Sequence, residues 1–582
     1  VVAVAVFLSL PSLWVGWSVD DHFHRVALLG LDPLGVGGAI HPLDIFRFLD
    51  GDAELAHRLM DVGALPWWTW PELEASFFRP VTAATHLLDY HLWPDLPALM
   101  HLHSVLWFGL AVAMVACLYR VVHDRAAVAA LAALLYAVDE AHGFAVGWLA
   151  NRNALLAVGF GALAITAYIR WSRSDRWRDL VWSLLWLLAG LLSAEAAVAV
   201  GAYILAHALV LENRPWRQRA LRVVPFVIVG AVWWTLHHRA GYGIRGSGLY
   251  IDPTYEPAAF VIALVERAPV LLAAQLAGPS ASGHVFVSAL TGRLIWWLWA
   301  VALLVGGATL VWRELRHEPV ARFWALGMLL AAVPVCATFP HDRLLWFVGI
   351  GAMGLVAQLL IRLREGGGGW WRRSLMVVLI GLHLVLAPLL LPVAVYFPAV
   401  MERAMDNDAR VLPDEPSLAE ASVVLVNPNI PFLAGYFPTL RWAQGLSVPK
   451  HTRLLAPGTG ALEIERTGDA VLRVRPARGF LSAPMDVLYR GSGHPMAVGD
   501  IVELTGMSVE ITATTADRRP GEAVFRFDRS LDDRTLVWLR WVRGAPEPWQ
   551  PPAVGETVLL EAQSAFEPRR LFEPRRAAAG GR

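Results

Sequence analysis

Two adjacent aspartates close the first apolar stretch of this chain. Asp20 and Asp21, in WSVDDHFHRV, follow VVAVAVFLSLPSLWVG. A carboxylate beside a lipid-facing cavity can take the proton of an acceptor hydroxyl. Desolvation and a neighbouring carboxylate raise its pKa toward that task. The plainer reading is a solvated helix end, because charges at a membrane boundary also serve as anchors. A second polar group lies in LLYAVDEAHGFAVGWLANRNALLA, which gathers Asp139, Glu140, His142, Asn151, Arg152 and Asn153 in one turn between apolar runs. Arginine there suits a phosphate held by two parallel hydrogen bonds; ordinary interface charges are the alternative. Glu195, in GLLSAEAAVAV, stands alone among apolar residues and needs a partner. It pairs with Arg152, binds substrate, or breaks the run into two spans at a turn, and the last is the expected geometry. ATFPHDRLLWF adds His341, Asp342 and Arg343 at a further turn. Arg343 is either another phosphate ligand or a helix-start residue. His86, His101 and His103 are read as structural or interfacial.

Other chemistries lack a signature. No HExxH or paired CxxC occurs, and Cys117 and Cys336 both lie in apolar runs, so no metal site or disulfide framework is expected. No glycine-rich phosphate loop follows a strand and opens a helix, so no nucleotide domain is expected. No cofactor is called for; a divalent metal is compatible with the acidic residues, but nothing indicates one. The net charge is zero, which offers no basis for nucleic-acid binding.

The elements that must position these residues are membrane helices. The chain is 56% hydrophobic and 17% charged, against about 25% charged residues in a soluble globular protein. Apolar blocks predict about eleven spans, near 1–17, 99–121, 126–139, 153–170, 180–194, 196–211, 221–237, 290–312, 320–338, 343–362 and 374–397. The first is expected to be a retained helix rather than a cleaved signal, because no small-residue cleavage site follows it. YRVVHDR, RWSRSDRWRD, ENRPWRQRALR, WRELRHEPVAR and RLREGGGGWWRR are rich in arginine and alternate with loops poor in positive charge. Placing the arginine-rich set in the cytoplasm puts the N-terminus there too. Loops 18–98 and 238–289, the turns bearing the polar groups and the tail then fall outside. The tryptophans of LPWWTWPELE suit the membrane interface, and one or two helices along the bilayer are expected in loop 18–98. Residues 257–277 are read as apolar and interfacial, and GGGG at 366–369 as a flexible linker.

The expected fold is thus an all-α polytopic membrane domain over 1–400, followed by a β-rich extracytoplasmic domain over 401–570 and a disordered tail over 571–582. Short alternating stretches such as DAVLRVRP, VEITATT and AVFRFD carry the strand reading. Lys450 is the only lysine, a bias toward arginine that points to a GC-rich bacterial genome. The expected compartment is the bacterial inner membrane, with the β-rich domain in the periplasm.

WSVDD after the first span, FFRPVTAATHLLDYHLW, LLYAVDEAHGFAVGWLANRNALL and LLSAEAAV, in this order and spacing, resemble the GT-C superfamily of polytopic glycosyltransferases. Within it they are most similar to the protein O-mannosyltransferase type, including its transmembrane-and-TPR relatives. FPHDRLLWF is weakly similar to another turn of that superfamily. The likeness covers about residues 1–210 and the turn near 343, and strands stand where the TPR tail would be. Phe144, Ala154 and Ala194 occupy positions where the family pattern has Glu, Asp and Lys. The resemblance implies transfer of a sugar from a polyprenyl-phosphate-linked donor to an acceptor hydroxyl, with inversion. Asp20 or Asp21 would be the base, Arg152 and Arg343 would bind the donor phosphate, and His142, Glu195, Asp139 and Glu140 would orient these groups. The partners implied are that donor, membrane lipid and an acceptor of unspecified class. Two alternatives stay open: a catalytically degenerate relative acting in envelope polysaccharide assembly, and a lipid or glycolipid transporter.

Overall fold

The computed structural model describes residues 1–564 and 567, apart from residues 39, 288, 289, 367 and 368. The disordered tail expected over 571–582 lies outside the described residues, as does part of the linker expected at 366–369. Among the described residues, seven helices are long and apolar enough to cross a membrane; the bent pair Ala126–Ala137 and Glu140–Gly147 makes an eighth. Three expected spans are shorter apolar helices, Val2–Trp14, Glu195–Val210 and Pro319–Val335. Eleven full-length spans are therefore not found. Interruptions in the backbone account for the short pieces. Ala194 is extended (φ −163°, ψ 151°), so the run around Glu195 splits into Trp177–Leu191 and a new helical start. Asp139 caps the second half of the bent pair by accepting from the Ala141 N–H at 3.1 Å.

Helix Pro257–Leu276 also meets the test of length and hydropathy. Its flanks, however, return to one short connection. Ile251 N–H donates to Ala337 O at 2.7 Å, Arg267 to Cys336 O at 3.1 Å, and Ala281 N–H to Asp342 at 2.8 Å. A helix tied at both flanks to residues 336–342 does not need to carry the chain from one end of the bundle to the other.

The arginine-rich loops meet at one end of the bundle. Arg125 pairs with Glu365, Arg214 and Arg222 with Asp175, and Arg362 with Glu314, while Arg173 donates to Val121 O. Helix Pro97–Val122 has 26 residues, hence a length of about 39 Å at ~1.5 Å per residue. Its far end, at Met100, lies beside Arg152. Helix Trp346–Glu365 likewise has Arg362 at one end and begins just after Arg343 at the other. Every polar turn singled out above except Glu195 is connected to this second end by the contacts described below. Glu195 reaches it through Arg79.

The part outside the bundle is built differently from the expectation. Residues of loop 18–98 form helices Asp20–Leu29, Ala53–Val62 and Pro80–Leu92, and strands Arg47–Asp50 and Glu74–Ser76 pair in one sheet with Gly243–Arg245. Two tryptophans of this loop pack into the C-terminal domain, in place of the expected membrane interface. Trp67 and Trp68 are buried, donate to Leu455 O (3.1 Å) and Asp486 O (3.3 Å), and pack on Phe480 and Phe525. Indole combines a large apolar area with one N–H that wants a partner, and the C-terminal domain supplies both. Leu49, Leu59, Met60 and Leu73 join the same core. A boundary at 400 therefore divides what packs as one body.

Besides that three-stranded sheet, the body carries two more among the described residues. One has six antiparallel strands in the order Thr557–Leu560, Leu462–Gly468, Val471–Pro476, Pro520–Phe527, Met507–Thr514 and Ile501–Leu504. Strict alternation in LEIERTG sends Leu462 and Ile464 inward and Glu463 and Glu465 outward, as a sheet with one buried face requires. The other has four strands, in which Ser422–Leu425 runs parallel to both neighbours, Leu536–Val542 and His451–Leu454. Parallel pairing demands a crossover. Here it comprises the short helices Pro431–Ala434 and Phe437–Ala443. The crossover packs on helix Ala387–Ala409, which runs through position 400 without a break.

Candidate functional site

The turn that carries the two aspartates is held from two sides. Trp148 donates to Ser18 O at 3.0 Å. Ser18 reaches Pro398 O at 3.3 Å, and Glu402 accepts from Val19 N–H at 3.2 Å. Glu402 also pairs with His22 at 2.7 Å. Between these restraints Val19 sits at φ 49°, ψ −113°. A β-branched residue at positive φ is strained, and it persists only where surrounding contacts over-determine the backbone. The strain falls immediately before Asp20.

The two aspartates do different work. Asp21 is buried and spends both oxygens on backbone: Ser18 N–H at 2.9 Å and Ala150 N–H at 2.7 Å. Burial pushes its carboxyl up to about 8. It fastens the first turn to the Trp148–Asn151 turn and leaves little for a substrate proton. Asp20 is partly exposed and accepts one short bond, 2.5 Å, from the Tyr436 hydroxyl. Its other oxygen has no hydrogen-bond partner among the described residues. Desolvation raises its pKa above the ordinary value, while the Tyr436 bond and the charges of Arg343 and Arg79 pull it back.

The arginines divide in the same way. Arg152 is fully enclosed. It donates to Ser104 Oγ (2.9 Å), Thr85 O and Oγ1 (3.3 Å each) and Met100 O (2.9 Å), and meets Asp89 at 2.5 Å. All the directions of its donor fork are occupied. This corrects the expectation that Arg152 takes a donor phosphate: no N–H faces outward to meet one. Arg343 is the opposite case. Its guanidinium lies 5.1 Å from the Trp148 ring centroid and 5.7 Å from that of Phe339. It has no carboxylate partner among the described residues, and its Nε is buried without an acceptor. A cation held by aromatic faces and not neutralised by an acid is available to an anion.

Glu195 pairs with Arg79, not with Arg152. It accepts from Phe78 N–H at 3.0 Å and from Arg79 Nε at 2.8 Å, and His237 lies 3.8 Å away. Arg79 also lies over the rings of Phe77 and Phe46, at 4.3 and 5.2 Å.

The remaining expected site residues have other surroundings. His142 is stacked on Trp346 (4.0 Å between centroids), is enclosed by Tyr136 and Phe108, and has neither ring nitrogen bonded. This places it in the bundle's aromatic core. Asp139 caps its own turn and accepts from Gln275 at 2.7 Å. Glu140 has no cationic partner among the described residues and lies near Asp342, which is itself taken up by Ser280, Ala281 and Ser282. No group of three or more His, Cys, Asp or Glu that could hold a metal ion occurs among the described residues.

Four residues beside the aspartates were not anticipated: Tyr436, Arg79, Glu402 and His22. Arg79 and His22 lie within stretches already marked, FFRP and DDHFH. Nothing in the sequence marks Tyr436, which is 416 positions from Asp20.

No protein-family model matches the chain, and no curated protein matches its sequence. Among solved structures, the Archaeoglobus fulgidus oligosaccharyltransferase tethered with an acceptor peptide is similar over 79% of this chain and 64% of its own, at 13% identity and a TM-score of 0.39. AglB of the same organism, in complex with an inhibitory peptide and a dolichol-phosphate, is similar over 77% and 64%, at 13% identity and 0.38. ArnT from Cupriavidus metallidurans, in the apo state, is similar over 70% of this chain and 86% of its own, at 15% identity and 0.29. The chain thus spans 64% of the length of the two archaeal structures. At these values the likeness assigns neither family nor activity.

Proposed function

We propose that this chain is a membrane glycosyltransferase that moves a sugar from a polyprenyl-phosphate-linked donor to an acceptor hydroxyl at the outer face of the membrane, with inversion. Asp20 takes the acceptor proton. The acceptor oxygen bonds to the anomeric carbon as the bond from that carbon to the phosphate oxygen breaks, and the polyprenyl phosphate leaves. Arg343 meets the charge that develops on the phosphate, where electrostatic stabilisation acts on the transition state. Arg79, held by Glu195, adds positive potential beside Asp20. Asp21 and Arg152 keep the turns in place. The observations that carry the reading are a carboxylate with one oxygen free and, among the described residues, an arginine with no carboxylate partner whose charge acts on that carboxyl. The motif order around Asp20, Arg79, Arg152 and Glu195 supports it. The compartment proposed is the bacterial inner membrane with the outer face in the periplasm; the arginine-rich loops lying together at the other end support the orientation.

A second reading is a non-catalytic relative in envelope polysaccharide assembly. Phe144 favours it, because an apolar ring packed on Trp148 and His341 stands where the resembled family has an acid. Purified protein in nanodiscs, supplied with a panel of polyprenyl-phosphate sugars, separates the two. Consumption of one donor by wild type, lost in Arg343→Ala, supports transfer. No consumption of any donor or transfer to any of a range of hydroxyl acceptors, by folded wild type, favours the non-catalytic reading.

A further inference from the structure

We infer that Tyr436 is a positioning residue for Asp20, delivered by the C-terminal domain and held in register by the outer end of helix Ala387–Ala409. The inference rests on the reading of Asp20 as the base. It assigns to the C-terminal domain a direct share in the site, where the domain would otherwise be a cap or an acceptor holder.

Three observations carry it. First, the contact is a short bond to the aspartate itself, 2.5 Å from hydroxyl to carboxylate. Burial and the charge of Asp20 hold the Tyr436 hydroxyl protonated, so it is the donor. A donor fixed on one carboxylate oxygen favours the ionised form and leaves a single oxygen to accept a proton.

Second, Tyr436 does not float on a loop. It is buried at the start of helix Phe437–Ala443, and Arg441 of that helix is fully enclosed. The Arg441 guanidinium donates to Ala409 O (2.6 Å), Leu412 O (3.1 Å), Pro413 O (3.2 Å) and Ser447 O (2.7 Å). A cation on the open carbonyls at a helix C-terminus is a favourable cap. Here it ties the tyrosine's helix to the end of the membrane helix.

Third, the same helix end grips the aspartate. Glu402 holds Val19 N–H and His22, and Pro398 O accepts from Ser18. Base and donor are thus each fastened to one stretch of a single helix, roughly residues 398–409. The apolar seam between them is closed by Val19, Trp148, Met405, Tyr436 and Leu440.

The groups that face Asp20 are few. Asp21 and His22 stand on its own helix, Arg79 and Arg343 supply positive charge, Tyr436 and Tyr489 come from the C-terminal domain, and Glu402 lies behind the turn. Tyr436→Phe changes one of these and keeps the ring contacts with Phe23 and Phe432.

The test is an infrared titration of the full-length protein without any sugar donor. The Asp20 carboxyl band is identified as the one absent in Asp20→Asn. In Tyr436→Phe its titration midpoint is expected to move up by about one pH unit, because a bond that favours the ionised carboxylate is gone. Where transfer is measurable, kcat is expected to fall about tenfold, with KM for the donor unchanged. An unchanged midpoint overturns the inference and leaves Tyr436 as a domain contact only. Because no donor is present, failure of this test is distinct from failure of the proposed transfer.

Discussion

At the arginine-rich end of the bundle, Arg125, Arg214 and Arg362 each meet a carboxylate; at the other end Arg343 meets none among the described residues. In the first set Arg125 and Glu365 are both more than half open to solvent, whereas Arg362 meets the buried Glu314. An exposed pair such as Arg125–Glu365 contributes little to stability. At the second end most of the charges described above are committed to partners. Arg152 is enclosed by its acceptors and Arg79 is held by Glu195, while Arg343 has no carboxylate partner among the described residues. The contrast teaches that a count of arginines says little here; what an arginine can do follows from which acceptors have already closed around it.

Removing an enclosed charge should break this end first. Arg152→Ala leaves Asp89 buried beside an empty site and strips four acceptors, so a loss of about 3–5 kcal/mol is expected. Thermal unfolding in detergent, or the monodisperse fraction on a sizing column, reads it directly. A midpoint equal to wild type would mean that Arg152 is not the strut described. Arg343→Ala should do the reverse: near-wild-type unfolding, with transfer reduced about 10²–10³-fold, the scale of one lost transition-state donor. Equal losses of stability in the two variants would erase the comparison.

Proton dependence sharpens it further. Asp20 must be ionised to accept a proton, and desolvation holds its pKa above the ordinary 3.8. Activity is therefore expected to fall with decreasing pH through a limb displaced above that value, read from kcat/KM against pH. A limb at or below 3.8 would place the titrating base elsewhere. The smallest effect is expected at the other end: Arg125→Ala should leave both the unfolding midpoint and transfer unchanged, and a clear shift in either would show that the exposed pair matters more than its solvation allows.

Residue type and spacing made much of this legible. Apolar blocks located most of the helices, and alternation in stretches such as LEIERTG located the strands, because each pattern is local. Asp20 and Arg343 also stood out in the sequence, as charges at the ends of apolar runs. The division of labour between neighbours was not. Asp20 and Asp21 are adjacent and identical, and only the third dimension shows that Ser18 and Ala150 N–H groups occupy one and Tyr436 the other. Arg152 looked available because its acceptors, Thr85, Met100 and Ser104, come from other elements. The tryptophans of LPWWTWPELE fit a membrane interface equally well by composition. Their burial against Phe480 and Phe525 depends on a contact across some four hundred residues of chain, which no local pattern encodes.

The account turns on which aspartate does chemistry. Sugar transfer from a polyprenyl-phosphate donor, measured per folded molecule for Asp20→Asn and Asp21→Asn side by side, tests this most directly. The account predicts that Asp20→Asn folds like wild type and loses about 10²–10⁴-fold in turnover. Asp21→Asn should lose stability first and keep most turnover in the fraction that folds. Wild-type turnover in Asp20→Asn, or abolished turnover in fully folded Asp21→Asn, would contradict it.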